Sequence, residues 1–310
     1  MTKAIFTFIT ALLLLTPIIS MFGGVSLEWQ LMVCLPFLLL LGIPHGAIDH
    51  VLYRKRHCIA NGPFIGRYLL VVGANIVLWM LFPPAAYAAF LFLSAFHFGQ
   101  SQFSHYNVHR HRFFPLLQLT WGLTVLSGLV AFNWGEVQAT LQAYPDFQGL
   151  SIVHHPEATL AISILSLSIT VAFLISLVKN AYVSLSDALM EFLVLGLILV
   201  GFYLLPLVIG FTLFFVILHA FKVLQEEYEV LRTDGTVRSP LQFVRMVTPF
   251  TLFSIAGIAL AFAAIYLHVF PFSYGYGLLI IISSITLPHA FVMNRFYDEL
   301  FDPLSMKQQL

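Results

Sequence analysis

The chain reads as an all-α, polytopic bundle of membrane-spanning helices, and three observations lead to that class. Sixty per cent of its 310 residues are hydrophobic and only 9% are charged, with a mean hydropathy of +0.93, far from the make-up of a soluble domain. The apolar residues fall in runs of about 20, the length of helix that crosses a hydrocarbon core of ~30 Å. These runs are apolar on every face rather than alternating with polar residues, which excludes a closed β-barrel. One integral-membrane unit over 1–310 is expected, with an added span and loop at 1–28 ahead of the main bundle at 29–297.

Ten spans are predicted, near 4–21, 31–52, 67–83, 85–103, 113–132, 158–178, 187–204, 206–222, 248–270 and 275–295. Prolines at Pro83-Pro84, Pro206 and Pro271 break the apolar sequence between neighbours by withholding an N–H. With the N-terminus cytoplasmic beside Lys3, Arg54, Lys55, Arg56 and Arg67 fall in one inner loop and Arg110 and Arg112 in the next. Lys179, Lys222, Arg232, Arg238, Arg245, Arg295 and Lys307 occupy the remaining inner positions, as the positive-inside rule requires. The long outer loop carries Glu136, Asp146 and Glu157 instead, so both termini are placed in the cytoplasm and the chain in the inner (cell) membrane as a multi-pass protein. Lys3 ahead of an apolar stretch ending near Ser20 also has the form of a signal peptide, but no A-x-A-like site follows, and its removal would leave nine spans in the same orientation.

Cys34 and Cys58 are far apart and form no C-x-x-C pair, so neither a disulfide framework nor a thiolate metal site is indicated. Zero net charge and scattered basic residues exclude nucleic acid as a partner. The lipid bilayer is the partner that composition demands.

Four of the 12 histidines fall inside apolar spans: His45, His97, His219 and His289. All four spans run outward to inward, and each histidine lies in the last third, just ahead of basic residues. Four imidazoles therefore share one depth near the cytoplasmic face. Ionisable groups in hydrocarbon normally face the bundle interior and carry function. Single histidines also serve as polar glue between helices, but a set of four at one level fits a metal site for iron, copper or zinc, because neutral imidazole ligates without adding charge. Asp49, four residues after His45, and Glu191, near the inner start of the seventh span, are the carboxylates placed to orient ligating imidazoles. Other uses of these two are a juxtamembrane pairing of Asp49 with Tyr53 or Arg54, and helix N-terminal charge for Glu191.

His105, His109 and His111 form a His-x3-His-x-His run in a basic loop, read as a solvated face. The pair His154-His155 lies across the bilayer from it, so the several boxes of a di-iron desaturase do not assemble. His50 points about 140° from His45 on an ideal helix, and His57 and His268 show no partner pattern. A transporter or proton relay built on intramembrane His, Asp and Glu is the competing function; against it, the charges cluster at one face and do not continue outward.

The stretch Gly42-Ile43-Pro44-His45-Gly46-Ala47-Ile48-Asp49-His50 resembles the Brp/Blh family of membrane β-carotene 15,15′-dioxygenases, whose hallmark is Pro-His-Gly-Ala-x-Asp. Phe96-His97-Phe98-Gly99, Leu218-His219 and Leu287-Pro288-His289 are similar to further family segments, and Glu191 in Met190-Glu191-Phe192 falls where the family carries an intramembrane Glu. The likeness covers roughly 30–297 and leaves the first span as an addition. It implies an Fe(2+) enzyme that uses dioxygen to split a carotenoid, most typically β-carotene at its central double bond, with retinal as product and a retinal-accepting opsin as that product's partner. It also implies His45, His97 and His219 as catalytic iron ligands. Two positions depart from the pattern: the family's His-x3-His has Val223 as its second member here, and Gln102 replaces an Asp. Either His289 completes the site, or three histidines leave extra open positions, or this member has diverged to bind a carotenoid without cleaving it.

Overall fold

The computed structural model describes residues 3–22, 24–57, 61–106, 112–153 and 155–300, without the side chains of 54–57, 61 and 298–300. His109, His111, His154, Cys58, Arg110 and Lys307 lie outside the described residues, as do the side chains of Arg54, Lys55, Arg56 and His57. Every regular element among them is helical: α1 (Lys3–Met21), α2 (Leu27–Phe37), α3 (Asp49–His57), α4 (Asn61–Leu81), α5 (Pro83–Gln102), α6 (Phe114–Phe132), α7 (Trp134–Ala143), α8 (Pro156–Lys179), α9 (Leu185–Leu204), α10 (Leu207–Leu213), α11 (Phe221–Thr233), α12 (Pro240–Tyr266) and α13 (Tyr274–Leu300). Nine helical stretches among the described residues are long and apolar enough to cross a bilayer, so the chain is an all-α multi-pass membrane protein. The stretches Leu27–Tyr53 and Leu207–Thr233 each run through more than one element. The span expected at 85–103 is present as α5, but its second half is polar and buried inside the bundle: Ser94, His97, Gln100 and Ser101. Apolarity alone therefore does not count it.

Helix starts follow local chemistry. Ser26, Ser184 and Ser239 cap α2, α9 and α12 by accepting from the N–H groups of Trp29, Asp187 and Gln242, and Pro83, Pro156 and Pro240 stand at first helical positions where no N–H is needed. The outer connection expected as a loop is helical: α7 and a 3-10 segment, Pro145–Ile152, fill it. Two of its acidic residues make structural hydrogen bonds. Asp146 Oδ2 accepts from Ser273 N at 2.6 Å, and Glu136 joins a buried network with Gln30.

Two spans expected to be regular are not. The second changes to a π-turn at Leu38–Gly42 and a 3-10 turn at Ile43–Gly46, where Pro36 and Pro44 deny two ladder donors. The eighth carries a π-turn at Phe214–Ala220, a stretch with neither Pro nor Gly, whose aromatic packing decides the local winding. Single π-turns of this kind cluster at functional sites.

Beside a small cluster of Trp79, Ala86, Leu150 and Tyr276, packing comes in two larger bodies. The larger gathers Trp121, Leu117, Ile198, Phe202 and Phe214 with Phe8 and Leu12 of α1. The other gathers Ile48, Leu52, Val223, Leu231, Phe243 and Met293. Between α5 and α6 the backbones touch: a Cβ at Gly99 would collide with the Gln118 carbonyl and one at Gly122 with the Ala95 carbonyl, the close approach that small residues permit in membrane helices.

Candidate metal centre

The four intramembrane histidines come from four separate elements and meet. His45 sits in the 3-10 turn and His219 in the second π-turn, while His97 and His289 lie on the regular helices α5 and α13. All four are buried. Ring centroids are 4.8 Å apart for His45 and His289, 4.9 Å for His97 and His219, 5.0 Å for His97 and His289, and 5.4 Å for His45 and His219. Donor atoms of His45, His97 and His289 all lie within 4.8 Å of one another, so a small inward shift brings them within the roughly 4 Å that is the most two donors on one cation can be apart at bonds of about 2 Å.

Local sequence explains each placement. Glycine at 46 clears space for His289, since a Cβ there would stand 3.2 Å from its Nδ1, and glycine at 42 clears the Phe215 ring. Phe211, Phe215 and His219, spaced four apart, stack with centroids 5.4 Å apart at each step. The regular helices are pinned by polar contacts: Asn75 and Trp79 of α4 donate to Ser283 and Ser284 of α13, and Gln100 Nε2 of α5 donates to Asn294 Oδ1 at 2.6 Å.

The hydrogen bonds select tautomers. His45 Nδ1 donates to the Gly42 carbonyl, which can only accept, and His289 Nδ1 donates to Asp49 Oδ1 at 2.9 Å. Ser101 spends its hydroxyl hydrogen on the Phe98 carbonyl, so its oxygen accepts from His219 Nδ1 at 2.8 Å. In all three rings the Nε2 lone pair is thus the free one. Nε2 of His219 and His289, and both nitrogens of His97, are buried with no hydrogen-bond partner. Each orphan costs about 1–3 kcal/mol if left alone. A cation among them removes that cost, and the donor set of neutral imidazoles without thiolates suits a first-row transition metal.

Two buried carboxyl groups accompany the cluster. Asp49 supports His289, and Glu227, wholly buried, has neither carboxyl oxygen hydrogen-bonded. One turn beyond three of the histidines lie Ile48, Val223 and Met293, each fully buried, in one apolar cluster. They floor one side of the site. Val223 is therefore part of a seal.

The sequence-predicted carboxylates divide. Asp49 pairs with His289 rather than with His45 four residues before it, and Tyr53 receives Arg295 instead. Glu191 is not hydrogen-bonded to any of the four histidines; it accepts from Gln102 Nε2 at 2.7 Å and Tyr106 OH at 3.0 Å. It steadies the chain next to Ser101, at one remove from the rings. His105 is half-exposed, 3.9 Å from Glu191, and burial followed by the Lys222 ammonium pushes it down to about 4, so it is neutral at pH 7. His50 packs on Phe250, with centroids 4.3 Å apart, away from the cluster. Ser101 and Lys222 were not singled out from sequence; Lys222 Nζ donates to the Ser101 and Gln102 carbonyls that end α5. The available signal for Ser101 was its position four residues after His97, on the same face.

The β-carotene 15,15′-dioxygenase family matches residues 37–297. The chain belongs to that family. The match begins inside α2 and ends in α13, so it takes in all four histidines, Asp49 and Glu191, and leaves α1 outside. No curated protein and no solved structure matches the chain. For a β-carotene 15,15′-dioxygenase family member, dioxygenase-type chemistry and a metal are the functional frame, and among the described residues the buried group His45, His97 and His289 could hold a metal ion.

Proposed function

We propose that this chain cleaves a carotenoid oxidatively, splitting β-carotene at its central double bond into retinal with dioxygen, at Fe(2+) held by His45, His97, His219 and His289 in the inner membrane. The observation that carries the reading is the convergence of four buried imidazoles, three with Nδ1 committed to a support, in a chain of this family. When bound, iron supplies the activation of dioxygen that an organic side chain cannot.

The stoichiometry balances without an external reductant. One C=C bond is broken, O2 gives one oxygen atom to each half, and two aldehydes result. What the protein supplies is position and dryness. Asp49 and Ser101 hold His289 and His219 in the orientation that frees Nε2; the seal of Ile48, Val223 and Met293 and the rings of Phe98 and Phe215 exclude water. An apolar polyene already dissolved in the bilayer needs only shape complementarity to bind. Glu191 acts through Gln102 on the end of α5. A retinal-accepting opsin is the natural consumer of the product.

Expression in carotenoid-accumulating bacteria is the test, scored for colour loss and for the aldehyde formed, with metal analysis of anaerobically purified protein. About one iron per chain and retinal as product are expected. Protein that takes up no transition metal, even after reconstitution, returns the histidines to the role of interhelical hydrogen bonding or of a proton relay.

A further inference from the structure

An apolar slot of about 1020 Å³ lies between α1 on one side and α2 and α10 on the other, at the upper end of what small-molecule sites occupy. Helix α1 is anchored by Ile5, Phe8 and Leu12 in the main core, with Phe8 over Gly201 of α9, and Ala11, Leu15 and Ile18 line the slot. Its outer end is formed by Gly24, Val25, Ser26 and Trp29; its inner end by Leu41, Val216 and Ile217. Those inner residues are chain neighbours of Gly42, whose carbonyl holds His45, and of Phe215, whose ring lies 5.5 Å from His45 and 5.4 Å from His219. From Ser26 to Leu41 the helical rise is roughly 22 Å, most of the hydrocarbon thickness.

We propose that this slot is the berth of the substrate: a rod-shaped apolar polyene enters sideways from the bilayer between α1 and α2, and the outer end of the slot stops it so that one bond stands at the depth of the histidines. The inference rests on the reading of the cluster as the metal centre of a carotenoid-cleaving enzyme.

Three features support it. The lining is hydrocarbon apart from Ser26, Thr212, the Cys34 thiol and the Trp29 indole, so it recognises length and width rather than polar groups. The inner end of the slot lies beside the site, because its lining residues Leu41 and Val216 are chain neighbours of Gly42 and Phe215; a Cβ at Gly42 would come within 2.9 Å of the Phe215 ring, so Gly42 sets where that ring rests. Finally, the outer half of the slot is built from residues ahead of 37, where the family match begins. The stop that selects a bond thus lies outside the matched stretch, whereas the histidines lie inside it.

The experiment uses the full-length protein in detergent. Polyene binding is read on metal-free protein from the shift of the β-carotene absorption band, and cleavage on iron-loaded protein from the aldehydes. Ala11→Trp and Val33→Trp fill the slot and are expected to weaken binding and raise KM at least tenfold with iron content unchanged. Leu14→Trp adds the same bulk on the exposed side of α1, outside the slot, and changes neither. Val25→Trp raises the stop and shifts the products toward aldehydes of unequal length. Wild-type binding and KM in both slot variants, with wild type cleaving normally, would assign the slot to a lipid chain and overturn the proposal; so would loss of iron in them, which would show an effect through the fold. A wild-type protein that neither holds iron nor cleaves a carotenoid fails the function itself, and the slot with it.

Discussion

Two of the polar clusters in this bundle treat their hydrogen bonds in opposite ways. Between α2, α7 and α10, Gln30 Nε2 donates to the Val25 carbonyl at 3.0 Å and to Glu136 Oε2 at 2.8 Å. Gln30 Oε1 accepts from Val208 N at 2.9 Å, and Glu136 Oε2 accepts from Leu207 N at 3.3 Å. The network thereby satisfies the first N–H groups of α10, which have no intrahelical partner, and it closes on itself. The histidine cluster spends only one nitrogen of each of three rings on protein partners and leaves the others bare. Polar glue consumes its own donors and acceptors; a ligand site keeps some unspent. That difference, more than burial or residue type, separates a structural polar cluster from a functional one inside a membrane protein.

The comparison breaks most sharply on removal of one member from each cluster. His289→Ala and His45→Ala are expected to lose iron and carotenoid cleavage below detection, because each deletes a ligand that no neighbour replaces. Val223→His in the His289→Ala background should not restore iron, since position 223 lies in the apolar seal with Ile48 and Met293. Iron retained in His289→Ala would reduce the centre to three histidines. A step smaller is the loss of a support: Ser101→Ala and Asp49→Ala should weaken iron about 10–100-fold, measured by competition with a chelator, while full-strength binding would show that the tautomers are held by packing alone.

Gln30→Leu is the converse. It strands the Val208 N–H and should lower stability by about 1–3 kcal/mol while iron content stays at the wild-type level. The smallest effect expected is at His105. Its folded-state value of about 4 lies below the ordinary 6.5, so between these limits the unfolded chain binds more protons than the native one. Its contribution is intact above pH 6.5 and is lost as pH falls toward 4. His105→Gln should flatten the acid limb of a thermal-denaturation series slightly, and an unchanged limb would place that sensitivity elsewhere.

Much of this is legible in the sequence, for identifiable reasons. Hydropathy sets the spans, the Lys and Arg pattern sets their expected direction, and a fixed rise per residue then puts His45, His97, His219 and His289 at one depth before any coordinates are known. Depth is a one-dimensional quantity, and a sequence carries it well. Rotation and winding are not of that kind. The partner of Asp49 is His289 of α13 rather than His45, a choice made by how α13 packs beside the 3-10 turn. The π-turn at Phe214–Ala220 has no proline to announce it, and along it Phe211, Phe215 and His219 stack. Glu191 shares the depth of the cluster in sequence but is spent on Gln102 and Tyr106. The family segment around His45 and the class of membrane protein belonged to the sequence by itself, because composition and local spacing determine them. Which nitrogen of each ring is free, what seals the floor at Val223 and where a slot opens beside α1 were decided only in the tertiary structure, because they depend on side chains from helices far apart in the chain meeting at angles that no local pattern specifies.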